Sequence, residues 1–220
     1  MLANKIDHTI LKPTTTVADI ERLCNEAIKY GFVAVCVPPF YAEKCVKILH
    51  DYPTRVASVV GFPLGYDGAD AKLTQSILLI RDAGVDEIDM VANIAAIKDG
   101  NWDIVEEEIE SVGRITQFEG AMLKVIIETG LLTDEEIVKV CEICAECEVD
   151  FVKTSTGFNG TGATIEAVQL IRKSLPSHIQ IKASGGIRTR AFAEALIAAG
   201  ADRLGCSQGV QIINESGRVE

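Results

Sequence analysis

The chain has 220 residues, 48% of them hydrophobic and 24% charged, with a formal net charge of −11. This length can bury a large core without disulfide or metal staples, and we expect one domain over residues 1–220. The acidity argues against nucleic acid or an anionic membrane as a partner. The sequence has no run of eighteen apolar residues and no signal-peptide pattern, so we expect no membrane association. Seven cysteines, predicted to be reduced thiols, indicate a cytoplasmic protein.

Apolar runs rich in Val and Ile alternate with helical patterns along the whole chain. Most runs are continuous rather than strictly alternating, which is typical of parallel strands buried on both faces. We predict eight strands, at Lys5–Leu11, Phe32–Val37, Arg55–Gly61, Glu87–Ala92, Leu123–Glu128, Phe151–Thr154, Ile179–Ala183 and Arg203–Cys206. Amphipathic periodicity predicts helices between them, at Val17–Tyr30, Tyr41–Leu49, Asp70–Asp82, Trp102–Phe118, Thr133–Glu146, Thr164–Lys173 and Thr189–Ala199.

This order of elements predicts an α/β fold, a single-domain (β/α)8 TIM barrel. Thr133 and Glu136 have the spacing of a capping box, and Gly31 and Gly84 follow apolar helical faces as helix ends. A doubly wound open sheet has the same local order, but the count of eight and the lack of a glycine-rich turn after the first strand favour the barrel. Because the fold typically takes about 250 residues, its connections must be short and its last helix must fit within Gly209–Glu220.

Three charged residues lie inside otherwise apolar strands: Asp89, Lys153 and Lys182. In one interpretation they are buried ion pairs that hold the barrel interior together. In the other they are catalytic, because the active site of such a barrel lies at the carboxyl ends of its strands. Two lysines on adjacent strands repel each other, and repulsion and burial both favour the neutral amine that forms a Schiff base with a carbonyl. Asp89 would then accept and return protons.

Glycine clusters follow the seventh and eighth predicted strands. They contain Gly185 and Gly186, with Arg188 close by, and Gly205 followed by Ser207. Barrels frequently build a phosphate site from these two loops, where glycine lets backbone N–H groups approach an anion. The alternative is that the glycines only permit tight turns. Their presence on both loops favours a phosphate site.

Seven motifs are spread along the chain, at Ile6–Thr9, Val35–Pro39, Val60–Gly65, Glu87–Val91, Leu123–Thr129, Phe151–Gly157 and Lys182–Thr189. Together they resemble the deoxyribose-phosphate aldolase family over essentially the whole chain. The Lys-Thr-Ser-Thr-Gly and Lys-Ala-Ser-Gly-Gly runs are the most specific. The resemblance implies a (β/α)8 barrel without metal or organic cofactor. It also implies a lyase that cleaves 2-deoxy-D-ribose 5-phosphate reversibly to D-glyceraldehyde 3-phosphate and acetaldehyde in deoxyribonucleoside catabolism.

The resemblance also implies a role for each matching residue. Lys153 would be the Schiff-base lysine, Lys182 the lysine that lowers its pKa, and Asp89 the proton-relay acid. The expected substrate and phosphate residues are Asp7, Thr9, Thr156, Gly157, Gly185, Gly186, Gly205 and Ser207. Small phosphorylated sugars and aldehydes are the expected partners, and a homo-oligomer is left open.

Two departures from the family pattern affect the expected site. Gln208 stands where a second small residue usually follows Ser207, which leaves the phosphate contacts open. Some members end in a tyrosine that reaches the active site, whereas this chain ends Ser216–Glu220 and has no tyrosine after Tyr66. An aldolase of another sugar phosphate and a non-catalytic phosphosugar-binding barrel are the alternatives, the second disfavoured because the lysines and Asp89 are intact.

Some remaining features have simpler interpretations. Cys141, Cys144 and Cys147 resemble part of an iron–sulfur motif, but on a helix this spacing does not converge on one metal. We therefore interpret them as small buried hydrophobic residues. His8 has no evident orienting partner for catalysis, so we expect it at the substrate mouth or in a structural role.

Overall fold

The computed structural model describes residues 1–215, which form a closed barrel of eight parallel strands in chain order. The strands are β1 (Ile6–Thr9), β2 (Ala34–Val37), β3 (Arg55–Val60), β4 (Glu87–Val91), β5 (Met122–Ile126), β6 (Phe151–Lys153), β7 (Gln180–Ser184) and β8 (Arg203–Cys206). Hydrogen bonding between β8 and β1 closes the ring. The predicted (β/α)8 barrel is confirmed, and every predicted strand overlaps an observed one.

The helices surround the barrel. They are α1 (Val17–Tyr30), α2 (Ala42–Leu49), α3 (Ala69–Ile77), α4 (Ile94–Lys98), α5 (Trp102–Glu119), α6 (Asp134–Glu146), α7 (Ile165–Ser174), α8 (Arg190–Ala198) and α9 (Gly209–Asn214). Helix α4 was not predicted, because five residues are too few to show helical periodicity. The short last helix occupies the place expected for it, while the expectation about the tail Ser216–Glu220 lies outside the described residues.

Local signals set the helix boundaries. Thr133 and Glu136 form the predicted reciprocal capping box at the start of α6, which satisfies two N–H groups of the first turn. Gly31 ends α1 in the left-handed conformation, and Gly84 does the same after the π-helical segment Leu78–Ala83 that continues α3. None of the helices within residues 1–215 combines the length and apolarity needed to cross a membrane.

Strand alternation sorts side chains between the barrel interior and the layer under the helices. On β6, Val152 packs in the outer hydrophobic layer, whereas Phe151 and Lys153 on either side of it face inward. On β4, Ile88 and Met90 pack outward. The outer layer therefore holds the large apolar core, and the alternate residues of each strand face a separate interior.

The barrel interior is divided into an apolar part and a charged part. Cys36, Ala57 and Val59 of β2 and β3 form a small apolar cluster, against which Leu11 and Phe62 pack. The other six strands contribute a charged or hydroxyl side chain to the interior, among them Asp89, Lys153 and Lys182. Charges so deeply buried must be paired with one another, and this requirement shapes the site described next.

Candidate active site

A cavity of about 450 Å³ opens at the carboxyl ends of the strands, between the segments that follow β1, β6, β7 and β8. Eight of the predicted site residues line it: Thr9, Lys153, Thr156, Gly157, Gly185, Gly186, Gly205 and Ser207. Three others, Asp7, Asp89 and Lys182, are fully buried in the barrel beside it. Lys153 connects the cavity with the buried charges, because it lines the cavity and contacts Asp89.

The two predicted lysines are register neighbours on adjacent parallel strands. Both ammonium groups contact Asp89 of β4, since Asp89 Oδ2 lies 2.8 Å from Lys153 Nζ and 2.7 Å from Lys182 Nζ. Lys124 Nζ lies 2.7 Å from the other oxygen of the same carboxylate. Asp89 therefore joins three lysines from three neighbouring strands.

Further ion pairs extend this cluster through the barrel interior. Lys182 Nζ lies 2.5 Å from Asp7 Oδ2, and Arg203 Nη1 lies 2.7 Å from Asp7 Oδ1. Glu87 pairs with Arg203 Nη2 and Lys124 Nζ, both at 2.6 Å. Three carboxylates thus face four basic side chains, and we call these seven residues the interior charge network: Asp7, Glu87, Asp89, Lys124, Lys153, Lys182 and Arg203.

The two candidate catalytic lysines have pKa values shifted in opposite directions. Burial lowers the pKa of Lys153, and the neighbouring charge of Lys182 lowers it further against the opposing effect of Asp89. Burial also disfavours the charged form of Lys182, but Asp7 and Asp89 outweigh it and raise the pKa of this lysine. Repulsion and burial therefore do not make both amines neutral, as their spacing alone suggested. Lys182 remains charged, and the amine that opens into the cavity has the greater tendency to be neutral.

Asp89 is held as an anion. Burial alone would raise its pKa, but Lys124, Lys153 and Lys182 together leave it well below its usual value. A fixed negative charge at 2.8 Å from Lys153 Nζ is suited to stabilise a cation formed at that nitrogen.

The expectation that Asp7 lines the substrate path needs correction. Asp7 is fully buried and is absent from the cavity walls, because its carboxylate is enclosed by Lys182 and Arg203. Thr9 does reach the cavity and donates its hydroxyl to the backbone oxygen of Asp7 at 2.8 Å. Asp7 therefore acts on the cavity through neighbouring residues, among them Lys182 and Thr9.

Two of the predicted glycines are required by close packing. A Cβ on Gly205 would lie 2.9 Å from Lys182 Cε and from Ser184 Cβ, so its missing side chain makes room for the buried lysine. Gly185 has φ +88°, and a Cβ there would lie 2.9 Å from Gly162 Cα and 3.3 Å from Gly157 Cα. The loops after β6 and β7 approach this closely because Gly162 and Gly185 both lack a side chain.

Two exposed cationic side chains line the same cavity as Gly186 and Ser207. They are Arg188, two residues after Gly186, and Lys12 of the β1–α1 loop. Gln208 also lines the cavity, at the position where the family pattern has a small residue. Two cations beside glycine backbone and a hydroxyl provide the groups that hold a phosphate.

Several residues of the site were not singled out from the sequence. Lys124, Glu87 and Arg203 belong to the interior charge network, and each is a charged residue in an apolar strand. That signal identified Asp89 and the two lysines and would have found these three as well. Glu128, two residues after β5, is the last residue of the predicted strand Leu123–Glu128 and was not singled out, because a polar residue at a strand end is common. It is fully buried, and it accepts hydrogen bonds from the cavity residue Thr156.

The remaining candidates lie away from the cavity. His8 Nε2 contacts Glu26 at 2.7 Å and its ring packs on Phe32, which agrees with a structural role. Cys141 and Cys144 are buried in α6 as expected, and Cys147 is half-buried at its end. Within residues 1–215, no three His, Cys, Asp or Glu side chains are grouped to hold a metal ion.

A (β/α)8 barrel with a buried amine of lowered pKa at its mouth defines the lysine-dependent class of aldolases. The sequence profile of the DeoC/LacD family of aldolases matches residues 1–214. The chain belongs to this family.

Individual relatives agree with this assignment. The deoxyribose-phosphate aldolase of Thermococcus gammatolerans is 48% identical and is aligned over 100% of this chain and 98% of its own length. The solved structure of an aldolase designated QR15 superimposes with a TM-score of 0.91 at 40% identity, covering 96% of this chain and 93% of its own. The deoxyribose phosphate aldolase of Aeropyrum pernix, whose structure is described as tetrameric, gives 0.90 at 31% identity, covering 96% and 89%.

The buried ion pairs of Asp7 predict an acid-sensitive loss of stability. Burial raises the pKa of Asp7, but the charges of Lys182, Arg203 and Lys124 together outweigh burial. They leave the pKa at about 2, against 3.8 for an ordinary aspartate. A carboxyl group whose pKa is lower in the folded than in the unfolded protein stabilises the fold at any pH above its pKa in the unfolded protein. This contribution of about 2 kcal/mol is lost as the pH falls from about 4 towards 2. Asp7→Asn should lower the free energy of unfolding at pH 7 by about 3 kcal/mol and weaken the pH dependence in that window.

Urea unfolding at pH 7 and at steps between pH 4 and 2 would measure both effects. Asp82→Asn, the same change at an exposed position of the α3–β4 segment, is the control and should leave the curve unchanged. Equal stability of Asp7→Asn and the wild type at pH 7 would contradict the expected role of the pair.

Proposed function

We propose that Lys153 is the nucleophile with which this aldolase cleaves 2-deoxy-D-ribose 5-phosphate to D-glyceraldehyde 3-phosphate and acetaldehyde. The observation that carries the assignment is the position of Lys153. It lines the cavity, has a lowered pKa, and lies beside the carboxylate of Asp89 and the charged Lys182. Lys182 is assigned the role of lowering the pKa of Lys153, and Asp89 that of the proton relay.

The reaction begins when the neutral amine of Lys153 attacks the C1 carbonyl of the open-chain sugar, and loss of water gives an iminium ion. The C2–C3 bond then breaks. Its electron pair moves towards the iminium nitrogen to form an enamine, while the C3 hydroxyl loses its proton and becomes the aldehyde of glyceraldehyde 3-phosphate. Protonation of the enamine at C2 and hydrolysis of the resulting iminium release acetaldehyde and regenerate the amine.

The interior charge network suits this sequence of charges. With Lys153 neutral, the three buried carboxylates face three buried cations, and the partly exposed Arg55 makes a further contact with Glu87 at 3.3 Å. The iminium adds a positive charge close to Asp89 Oδ2, where the Lys153 nitrogen already lies. Because the carboxylate is fixed before the reaction, no large reorganisation is needed to stabilise that charge.

The phosphate is assigned to the wall that contains Gly185, Gly186 and Ser207, with Gly157 and Gly205 beside it. Lys12 and Arg188 supply positive charge there, and this local charge offsets the net charge of −11 of the whole chain. Thr9 and Thr156 face the substrate between this wall and Lys153. Gln208 lines the same cavity and is included in the proposed phosphate site.

We further propose a cytoplasmic, self-associating enzyme. All seven cysteines are free thiols, which suits a reducing compartment. The tetramer described for the Aeropyrum pernix relative supports self-association. Sedimentation velocity at micromolar concentration should give a mass above that of one chain, and a single monomeric species would contradict this proposal.

Chemical trapping tests the Schiff base. Incubation with acetaldehyde and borohydride should reduce the iminium to an amine and add an ethyl group to Lys153, detected by peptide mass mapping. Lys153→Met should lose the adduct and reduce cleavage by at least about a thousandfold, since no other amine lines the cavity near Asp89 among the described residues.

Lys98→Met is the matched control, because Lys98 pairs with Glu136 on the surface. It should keep both the adduct and the activity. Wild-type protein that binds the sugar phosphate without forming an adduct would instead support the alternative of a non-catalytic phosphosugar-binding barrel.

The charge of Lys182 should set the pH dependence of the reaction. Its positive charge lowers the pKa of Lys153, so Lys182→Met should allow Lys153 to remain protonated to higher pH. We expect lower activity at pH 7 and an acid limb of kcat/KM displaced upwards by more than about one pH unit. Steady-state rates from pH 5 to 10, with circular dichroism at each pH, would measure this, and an unmoved acid limb would exclude the assigned role.

A further inference from the structure

Glu128 is a buried carboxylate at the cavity that the Schiff-base chemistry does not use. It directly follows the residue after β5, and its backbone is left-handed, with φ 53° and ψ 59°. A non-glycine residue in this conformation is strained, and such strain persists only where the surroundings hold it. The side chain is fully buried, and it is outside the interior charge network.

The hydrogen bonds to the carboxylate of Glu128 come from the β6–α7 loop, and the charge of Lys153 on β6 also acts on this carboxylate. The backbone N–H of Thr156 donates to it at 3.2 Å, the hydroxyl of Thr156 donates to Oε2, and Asn159 Nδ2 lies 3.5 Å from the same oxygen. All three donors reach Oε2, so a glutamine with its carbonyl oxygen at that position could accept the same hydrogen bonds. A glutamine could not take up a proton, however, and the carboxylate can.

These contacts fix the orientation of the Thr156 hydroxyl. Its proton is committed to Glu128, and the backbone N–H of Phe158 donates to Oγ1 at 3.1 Å. One lone pair of Oγ1 remains. Thr156 lines the cavity between Lys153, three residues earlier on the chain, and Gly157, which packs against Gly185. A sugar phosphate that reaches from Lys153 to the glycines occupies the cavity that Thr156 lines.

We infer that Glu128 is a positioning residue for the cleavage step, which it serves by presenting Thr156 Oγ1 as acceptor to the C3 hydroxyl of the substrate. The inference rests on the proposed function. As the C2–C3 bond breaks, the C3 hydroxyl proton passes to Thr156 Oγ1 while the proton of Thr156 passes to Glu128. When glyceraldehyde 3-phosphate leaves, Glu128 returns this proton through Thr156 to solvent.

The environment of Glu128 agrees with this role. Burial raises the pKa of its carboxyl despite the hydrogen bonds from Thr156 and Asn159 and the charge of Lys153, so the group accepts a proton more readily than a solvated glutamate. Asp89, by contrast, is held well below its usual pKa by three lysines and lies on the Schiff-base nitrogen. The two carboxylates are thereby suited to different atoms of the reaction.

A purely structural role for Glu128 is the alternative, because the same loop also reaches across the cavity mouth. Asn159 Nδ2 donates to the backbone oxygen of Pro63 at 2.9 Å, and the rings of Phe62 and Phe158 pack edge to face at 5.3 Å. Loss of Glu128 could loosen this contact and disturb the whole cavity. The test must therefore separate the cleavage step from the rest of the chemistry.

Two reactions of the same enzyme make that separation. Exchange of the methyl protons of acetaldehyde with D2O, followed by proton NMR, requires the Schiff base and enamine but no C3 hydroxyl. Cleavage of 2-deoxyribose 5-phosphate requires both. In Glu128→Gln we expect kcat for cleavage to fall about tenfold to a hundredfold, with exchange within about twofold of wild type.

Glu148→Gln is the matched control. Glu148 is the other non-glycine residue with positive φ in the described chain, at 51°, but it is exposed and distant from the mouth in the α6–β6 connection. The same chemical change on a similarly strained backbone should alter neither reaction.

Variants of Thr156 test whether Glu128 acts through it. Thr156→Val removes the hydroxyl and should reduce kcat for cleavage as Glu128→Gln does. Thr156→Ser keeps the hydroxyl and should reduce kcat much less. In the Thr156→Val background, the further change Glu128→Gln should cost less than about threefold, because the two residues act as one unit.

Each contrary result has a distinct meaning. Equal losses of exchange and cleavage in Glu128→Gln, or additive losses in the double variant, would overturn the positioning role in favour of a structural one. Unchanged cleavage in Glu128→Gln would overturn it outright. Failure of the wild type to exchange acetaldehyde protons or to form the borohydride adduct would instead refute the proposed function itself.

Discussion

The carboxylate of Asp89 organises the barrel, because it accepts contacts from three lysines on β5, β6 and β7 within 2.8 Å. Removing charges from water is costly, and such a cluster is retained only if every member finds a partner. Asp7 and Glu87 complete the pairing by satisfying Lys182, Lys124 and Arg203. The geometry of the active site is therefore a consequence of how buried charges are balanced.

The same balance makes one lysine chemically different from the others. Lys124 and Lys182 each contact two carboxylates closely, whereas Lys153 contacts only Asp89 and borders the cavity. The network has one more basic side chain than carboxylates. Lys153 has the fewest carboxylate contacts, so it is the basic side chain whose charge is least compensated. Burial and the charge of Lys182 together favour neutral Lys153 against the opposing effect of Asp89. The apolar cluster of Cys36, Ala57 and Val59 on the opposite strands offers no further anion to offset this.

The sequence predicted the barrel well because its signals are local. Continuous Val and Ile runs mark buried parallel strands, and capping residues such as Thr133 mark helix starts. Lys153 and Lys182 were recognised because a charged residue inside an apolar strand has few explanations. Their adjacency followed from strand order and is observed in the register.

Other features depend on contacts that no local pattern contains. Asp7 pairs with Arg203, 196 positions away, and only closure of the ring by β8 brings them together. The division of charge between Lys153 and Lys182 depends on that same pairing. Glu128 resembles an ordinary polar residue at the end of a strand. Its burial is imposed by the returning β6–α7 loop, which covers it with Thr156 and Asn159.

The close packing of Gly205 and Lys182 limits how such a site can change by substitution. The Lys182 side chain occupies the volume that any Cβ at position 205 would need, with only 2.9 Å between them. Positions 182 and 205, on neighbouring strands, therefore form one steric unit. A barrel that acquires this lysine without the glycine is overpacked, and one that has the glycine without the lysine contains a void. Transplanting the chemistry to another barrel means moving both residues together, and covariation between them is the trace such coupling leaves in related sequences.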